Sequence, residues 1–278
     1  MVRKLFDVDE YLRCIGHEGE AKPDLDTLRA LHKKHLMAIA YNSVSSLTRP
    51  PSRRGTGVDL VDIDEDATFD AVIAEGHGGG CIQLSRLFFR LLRELGFDVA
   101  LLGGSTVEGA QLFGTEVEHM LLLVTLDDER WLVDVGYAGP SFLEPLRVGE
   151  EIQVQYGVQY RLVEDAGSLV LRRCARGGRW HVVYRFTLAV REPAAWSEFE
   201  RKVNEKLRPT EPGAGGAGGV GGAGGGLLLC SRAVDDGQAV LKGRRYLTVR
   251  DGREQVRTLV DNDEYENLAA GILAGPVG

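Results

Sequence analysis

The spacing of apolar and polar residues changes period along this chain. From Asp7 to about Leu95 the repeat is helical. Tyr11, Leu12 and Ile15 share one face, and Leu28, Leu31 and Leu36 recur at helical spacing after Pro23. Leu84, Leu87, Phe88, Leu91, Leu92 and Leu95 form a stripe that predicts a helix over 82–95, with Gly96 at its C-terminal cap. From Phe97 the pattern turns to short β-rich runs over 99–102, 119–126, 130–135, 153–162, 169–173 and 180–188. Turns such as Asp127-Asp128 and Gly177-Gly178 divide them, as antiparallel strands of a barrel or sandwich require. The tail predicts a helix near 193–207, a hairpin around Asp251-Gly252, and a closing helix in which Tyr265, Leu268, Ala269 and Ile272 align.

Composition narrows the function. The 278 residues include 33 Lys or Arg and 41 Asp or Glu, for a net charge of −8. That balance argues against nucleic acid as a partner, because such binding needs a basic surface that displaces counterions from phosphates. No apolar run reaches the ~18–20 residues that cross a bilayer, and the start turns acidic at Asp7 before a signal-peptide core can form. The expectation is a soluble cytoplasmic protein without a membrane partner. Cys14, Cys81, Cys174 and Cys230 include no CxxC pair, so they read as free thiols and no metal is expected.

The 36 glycines are roughly twice the typical ~7% share. Many lie in a tract from Gly213 to Gly226 that contains only Gly, Ala and one Val. Its start formally matches GxGxxG. The preceding Arg208-Pro209-Thr210-Glu211-Pro212 cannot be a buried strand and no periodic helix follows, so the tract reads as a flexible surface loop.

Chemistry concentrates elsewhere. Gly78-Gly79-Gly80-Cys81 leads straight into the predicted helix at 82, which places a thiol beside the free amides and partial positive charge of a helix N-terminus. The glycines let the backbone approach a bound acyl group. Alone, such a cysteine reads more readily as a small core residue, so a partner base decides its meaning. His119 opens an apolar strand where Leu or Val would pack at lower desolvation cost. Asp134 is a lone carboxylate in the apolar run Arg130 to Val135. If Asp127-Asp128 is a two-residue turn pairing Leu126 with Glu129, Asp134 falls opposite Leu121, on the face of His119 and diagonal to it; a slip of one residue would reverse that face. Cys81, His119 and Asp134 then supply a nucleophile, a base and an orienting carboxylate.

These residues carry a resemblance. The helix-starting cysteine after glycines, Glu118 to Val124, Leu132 to Pro140 and Glu144 to Leu146 resemble the arylamine N-acetyltransferases, as do Tyr11 to Gly16 and Leu28 to Leu36. The resemblance implies an α+β fold: a helical bundle over 1–95 bearing the nucleophile, an antiparallel β-barrel over 96–192 bearing His and Asp, and an α/β lid over 193–278 with the glycine-rich loop 213–226. It implies a Cys-His-Asp triad and ping-pong acyl transfer from a thioester to an aryl amine through an acyl-cysteine. No tightly bound cofactor is expected; the acyl donor, on coenzyme A or on a carrier protein's phosphopantetheine, is a substrate.

Two departures bear on the substrate. Members usually carry Arg-Gly-Gly-x-Cys-x-Glu-x-Asn around the nucleophile and Pro-Phe-Glu-Asn after the second helix. This chain has His77, Gln83 and Ser85 in the first motif and Ala40-Tyr41-Asn42-Ser43 in place of the second. Removing one member would strand a buried charge, whereas neutralising the set together is tolerated. The glycine tract, in turn, removes side chains where relatives grip coenzyme A. The first reads as coherent remodelling of the network. The tract, as a wide lid suited to a bulkier acyl donor, favours the ansamycin amide synthase branch, in which a polyketide on a carrier protein is closed onto its own aryl amine as a macrolactam. An acetyl-CoA-dependent arylamine N-acetyltransferase is the alternative. A thioester or amide hydrolase with the same triad and a non-catalytic binder are the remaining rivals. Candidate substrate contacts are His77, Gly79, Gly80, Tyr41 and Tyr137, with His77 also readable as a loop residue filling the vacated arginine site. His17, His32 and His35 read as residues of solvated helical faces.

Overall fold

The computed structural model describes residues 4–53, 57–108, 112–207 and 228–275. Helix α1 (Val8–Cys14) starts where the Asp7 carboxylate accepts the Glu10 N–H, and α2 (Leu25–Ala38) where Asp24 accepts that of Thr27. Then come β1 (Tyr41–Asn42), a short α3 (Ser45–Thr48), and α4 (Glu65–Phe69), which runs into a π-helical turn over Asp70–Ala74. Helix α5 (Cys81–Glu94) closes this part, so its first residue is the expected nucleophile. The helical expectation fails between 43 and 63, where α3 is the only helix among the described residues, because that stretch has no sustained apolar period.

Strands β2 (Asp98–Glu108), β3 (Leu112–Phe113), β4 (His119–Leu126), β5 (Glu129–Val133), β6 (Leu146–Arg147), β7 (Gln153–Gln155), β8 (Val158–Asp165), β9 (Ser168–Cys174) and β10 (His181–Arg191) follow. Their order is β6-β5-β4-β2-β10-β9-β8-β7, with β3 beside β2, and they make a nearly closed eight-strand barrel. The run expected over 153–162 is two strands, because Tyr156 and Gly157 take left-handed backbone angles (φ 48° and 78°) and form a hairpin turn.

Two glutamines stitch the edges of β6 and β7. The Gln153 amide accepts from the Arg147 N–H and donates to the Arg147 carbonyl, and Gln155 does the same for the Glu144 backbone. Residues 102, 121, 132, 162, 171 and 186 pack in one core. The alternate residues Leu101, Leu122, Val124 and Val133 pack on Leu28, Leu31, Leu87, Phe88 and Leu91 of α2 and α5. Period-2 alternation on three strands thus joins the barrel to the helices.

A 3₁₀ turn (Pro193–Trp196) leads into α6 (Ser197–Leu207). The chain ends in β11 (Leu229–Val234), β12 (Gly237–Lys242), β13 (Arg245–Arg250), β14 (Arg253–Thr258) and α7 (Asn262–Ala274). These strands form an antiparallel sheet in the order β1-β11-β12-β13-β14, so the N-terminal half supplies an edge strand. Strands β11 and β12 were not expected from the sequence. The Gly213–Gly226 tract lies outside the described residues. Among the described residues, no helix is long and apolar enough to cross a membrane.

Candidate active site

The turn at Asp127-Asp128 determines this site. Both residues are left-handed (φ 48° and 65°), the turn pairs Leu126 with Glu129, and the ladder continues to Leu122 and Val133. Asp134 is therefore the first residue beyond the ladder, on the His119 face. Its Oδ2 lies 3.0 Å from His119 Nε2, and its Oδ1 accepts the Gly136 N–H at 3.0 Å. Both side chains are almost fully buried.

Cys81 stands at the first position of α5, with its sulfur 3.9 Å from the Glu118 carbonyl and in reach of the His119 imidazole. Burial alone would push that imidazole down. The Asp134 charge and hydrogen bond, aided by Cys81, instead lift it to about 10, so the ring is held as imidazolium.

Further contacts fix this approach. Ser85, one turn along α5 from Cys81, donates to the Met120 carbonyl next to His119 at 2.9 Å. Gly136 lies against the first turn of α5. A Cβ there would meet Cys81 Cα and the Cys81 carbonyl oxygen, each at 2.8 Å, so only glycine allows the loop after Asp134 to press on the Cys81 backbone. Before His119, the Glu118 carboxylate accepts both the N–H and the hydroxyl of Thr106, at 2.7 and 2.6 Å.

Of the remaining predicted contacts, Gly79, Gly80, Tyr41 and Tyr137 lie beside Cys81 or His119, and His77 turns away. Gly79 and Gly80 are buried, and added Cβ atoms would meet Gln83 Oε1 at 2.9 Å and Ser46 Cβ at 2.5 Å. Tyr41 is bridged to Gly79, and burial, then Cys81, raises its phenol pKa. Tyr137 sets its ring edge-on to His119 at 5.8 Å, and burial followed by the Asp134 charge raises its phenol to about 12. His77 turns its half-exposed ring to Arg49 (2.5 Å) and Glu75 (3.0 Å).

Two histidines correct the sequence reading. His32 and His35 are fully buried, because they follow Leu28 at helical intervals and extend its apolar stripe. His32 Nδ1 lies 2.8 Å from the Leu143 carbonyl and its Nε2 3.2 Å from the Asp134 nitrogen. Tyr184 was also missed. It is fully buried with its ring 5.4 Å from that of His119, and an irregularity between Val182 and Tyr184 shifts the β10 register there.

A family model described as N-acetyltransferase matches residues 24–272. The arylamine N-acetyltransferase of Escherichia coli (strain K12) is 32% identical over 182 residues, 65% of this chain and 61% of its own. The chain belongs to the arylamine N-acetyltransferase family. Proansamycin X synthase of Amycolatopsis mediterranei (strain S699) is 47% identical over 274 residues, 99% of each chain. Among solved structures, the Mycobacterium marinum arylamine N-acetyltransferase in complex with CoA superposes with a TM-score of 0.75 at 27% identity, covering 96% of this chain and 93% of that one. The Nocardia farcinica arylamine N-acetyltransferase gives 0.76 at 27%, covering 98% and 90%.

Against the family motif, His77 meets the charged Arg49 and Glu75, whereas the altered positions Gln83, Asn42 and Ser85 are each satisfied by neutral groups. Gln83 Oε1 accepts the Gly80 N–H at 3.0 Å and its Nε2 donates to the Arg49 carbonyl at 2.8 Å. Asn42 donates to the His77 carbonyl and to Ser45, and accepts the N–H groups of Val44 and Ser45. Ser85 bonds Met120, as above. The glycine loop before this family member's cysteine is thus held without a buried carboxylate.

Proposed function

We propose that this chain is an amide synthase: it takes a polyketide from a carrier-protein thioester and closes it onto its own aryl amine as a macrolactam. The observation that carries this reading is the 47% identity to Proansamycin X synthase over 99% of both chains, against 32% over part of the chain for the Escherichia coli arylamine N-acetyltransferase.

In this reading, Cys81 is the nucleophile, His119 the base and Asp134 the orienting carboxylate. The Cys81 thiolate, paired with the His119 imidazolium, attacks the thioester carbonyl. The developing oxyanion meets first-turn amides of α5, which have no intrahelical acceptor. Collapse expels the carrier thiol, which takes a proton from His119 and leaves an acyl-cysteine. The aryl amine then attacks, His119 accepts its proton, and the amide departs with Cys81 regenerated. Asp134 stabilises the imidazolium and sets its tautomer. Tyr41, Tyr137 and the backbone of Gly79 and Gly80 border the acyl group, and His77 stays outside this set because its ring is engaged with Arg49 and Glu75. The nucleophile belongs to a unit over 1–95, the base and carboxylate to one over 96–192, and 193–278 forms a lid.

The second reading, transfer of acetyl from coenzyme A to a separate aryl amine, is supported by the fold shared with the Mycobacterium marinum enzyme in complex with CoA. Separate incubations with a long amino-aryl acyl thioester of a pantetheine mimic and with acetyl-CoA plus aniline distinguish the two. The amide-synthase reading expects acyl mass on Cys81 and release of a cyclic amide. A higher kcat/KM for acetyl transfer to aniline would overturn it in favour of the acetyltransferase. Release of only the linear acid would favour hydrolysis.

A further inference from the structure

Strand β5 leaves the barrel ladder at Val133, paired with Leu122. The next backbone N–H, that of Asp134, has lost the neighbouring strand as its acceptor. What meets it is the His32 imidazole from α2, with Nε2 at 3.2 Å, 102 residues away in sequence. The other ring nitrogen, Nδ1, lies 2.8 Å from the Leu143 carbonyl. A carbonyl oxygen can only accept, so Nδ1 carries a proton; Nε2 lies between the Asp134 N–H at 3.2 Å and the Asp134 carbonyl at 3.1 Å, and in the neutral ring that burial favours its lone pair accepts the N–H. The ring lies flat on Phe142, with centroids 5.5 Å apart and planes 13° apart, and meets Phe88 edge-on. It has no room to turn.

We propose that His32 is a positioning residue for acyl transfer: it replaces the missing strand at Asp134 and so fixes the carboxylate that orients His119. This rests on the triad reading above. Asp134 then has three anchors. His32 holds its nitrogen, the Gly136 N–H holds Oδ1, and His119 occupies Oδ2. Loss of the first frees the residue to swing about the end of β5, and a displacement of ~1 Å at such a site can cost on the order of 100-fold in rate. The titratable groups facing His32 are Asp134, Glu144 and His35. Burial lowers the pKa of His32 despite the opposing effect of the Leu143 and Asp134 carbonyls and the two carboxylates, which keeps the accepting lone pair available.

Two variants separate positioning from packing. In His32→Gln, the side-chain oxygen can reach the place of Nε2 and still accept the Asp134 N–H. In His32→Asn, the amide matches Nδ1 and reaches only Leu143. The readouts are single-turnover acylation of Cys81 and the pH profile of its alkylation by iodoacetamide, on variants shown to be folded by circular dichroism. His32→Asn is expected to slow acylation on the order of 100-fold and move the midpoint of the alkylation profile. His32→Gln is expected to restore most of the rate and the wild-type midpoint. Equal losses in the two, or an unchanged profile in both, would overturn the proposal, since a packing role would lower only their melting temperatures. Asp134→Asn is run alongside. If it leaves both readouts unchanged, the triad reading itself fails, and the proposal with it; if Asp134→Asn is impaired and His32→Asn is not, only the proposal fails.

Discussion

Asp134 lies one residue beyond the last ladder pair of its strand, yet its carboxylate reaches His119, the first residue of the neighbouring strand, at 3.0 Å. Both side chains are buried on one face. Asp134→Asn keeps the shape but removes the charge that sustains the imidazolium, and in a comparable triad this costs on the order of 10⁴ in turnover. A similar loss is expected in single-turnover acylation.

The same pair sets a pH dependence. His119 has a folded pKa of about 10, above its unfolded value of about 6.5. Its contribution to stability is complete below the unfolded value and is lost as pH rises toward 10. Urea titrations at several pH values should show this decline in the wild type and a flatter profile in Asp134→Asn.

Gly136 makes a sharper claim about geometry than the charged residues do. A methyl group there would meet two backbone atoms of Cys81, neither of which can move alone. Gly136→Ala is expected to cost about 1–3 kcal/mol in stability, as overpacking does. It should also reduce acylation on the order of 100-fold, because the loop carrying Asp134 must back away from α5. Normal acylation in a folded Gly136→Ala protein would show that the contact does not set catalytic distance.

The residues of the proposed triad were legible because each interrupts a pattern: a cysteine at a helix start, a histidine at a strand start, a carboxylate in an apolar run. The acidic two-residue turn then determined their relative faces. His32 was not legible in that way. Counted as polar, it sits on a face that sequence assigns to water, although its interval from Leu28 places it on the apolar stripe. Strands β11 and β12 were hidden for a related reason. Arg232, Gln238 and Ser231 are polar yet buried, so the expected alternation is absent.

Gln83 tests whether the pocket behind the glycine loop is truly neutral. Its Nε2 faces the Arg49 carbonyl, so Gln83→Glu would set oxygen against oxygen in a buried place. A cost of about 2 kcal/mol is expected. The new carboxylate would hold its proton more tightly when folded, which raises its folded pKa. The variant should therefore approach wild-type stability below the unfolded value of about 4.3 and lose ground as pH rises. Urea midpoints at pH 4 and pH 7.5 would check this, and a variant equally stable at both would contradict it.

His35 lies buried with Nδ1 2.9 Å from the Tyr11 hydroxyl, which burial keeps protonated. Burial, aided by His32, lowers the His35 pKa to about 3. Here the sign is opposite to that of His119. The unfolded chain takes up the proton near pH 6.5, so stability falls as pH drops from there toward 3. Tyr11→Phe should cost about 1 kcal/mol at neutral pH, and His35→Gln should flatten the acid limb of the wild-type stability curve.

Arg232 joins the two ends of the chain. Its guanidinium is buried in β11 and donates to the carbonyls of Met37 and Ala38 at the end of α2 and to those of Ile272 and Leu273 at the end of α7. Helix C-termini leave such carbonyls without intrahelical donors, and their dipoles favour a cation there. Burial lowers the arginine to about 10, with Cys230 opposing, so the charge persists at neutral pH. Arg232→Met should leave all four carbonyls without this donor and cost on the order of 3 kcal/mol. Arg232→Lys should recover less than half of that, since an ammonium lacks the planar fork that spans both helix ends. The shift should appear as a lower urea midpoint with an unchanged slope; full recovery by lysine would mean that charge alone, without the fork, holds α2 and α7 together.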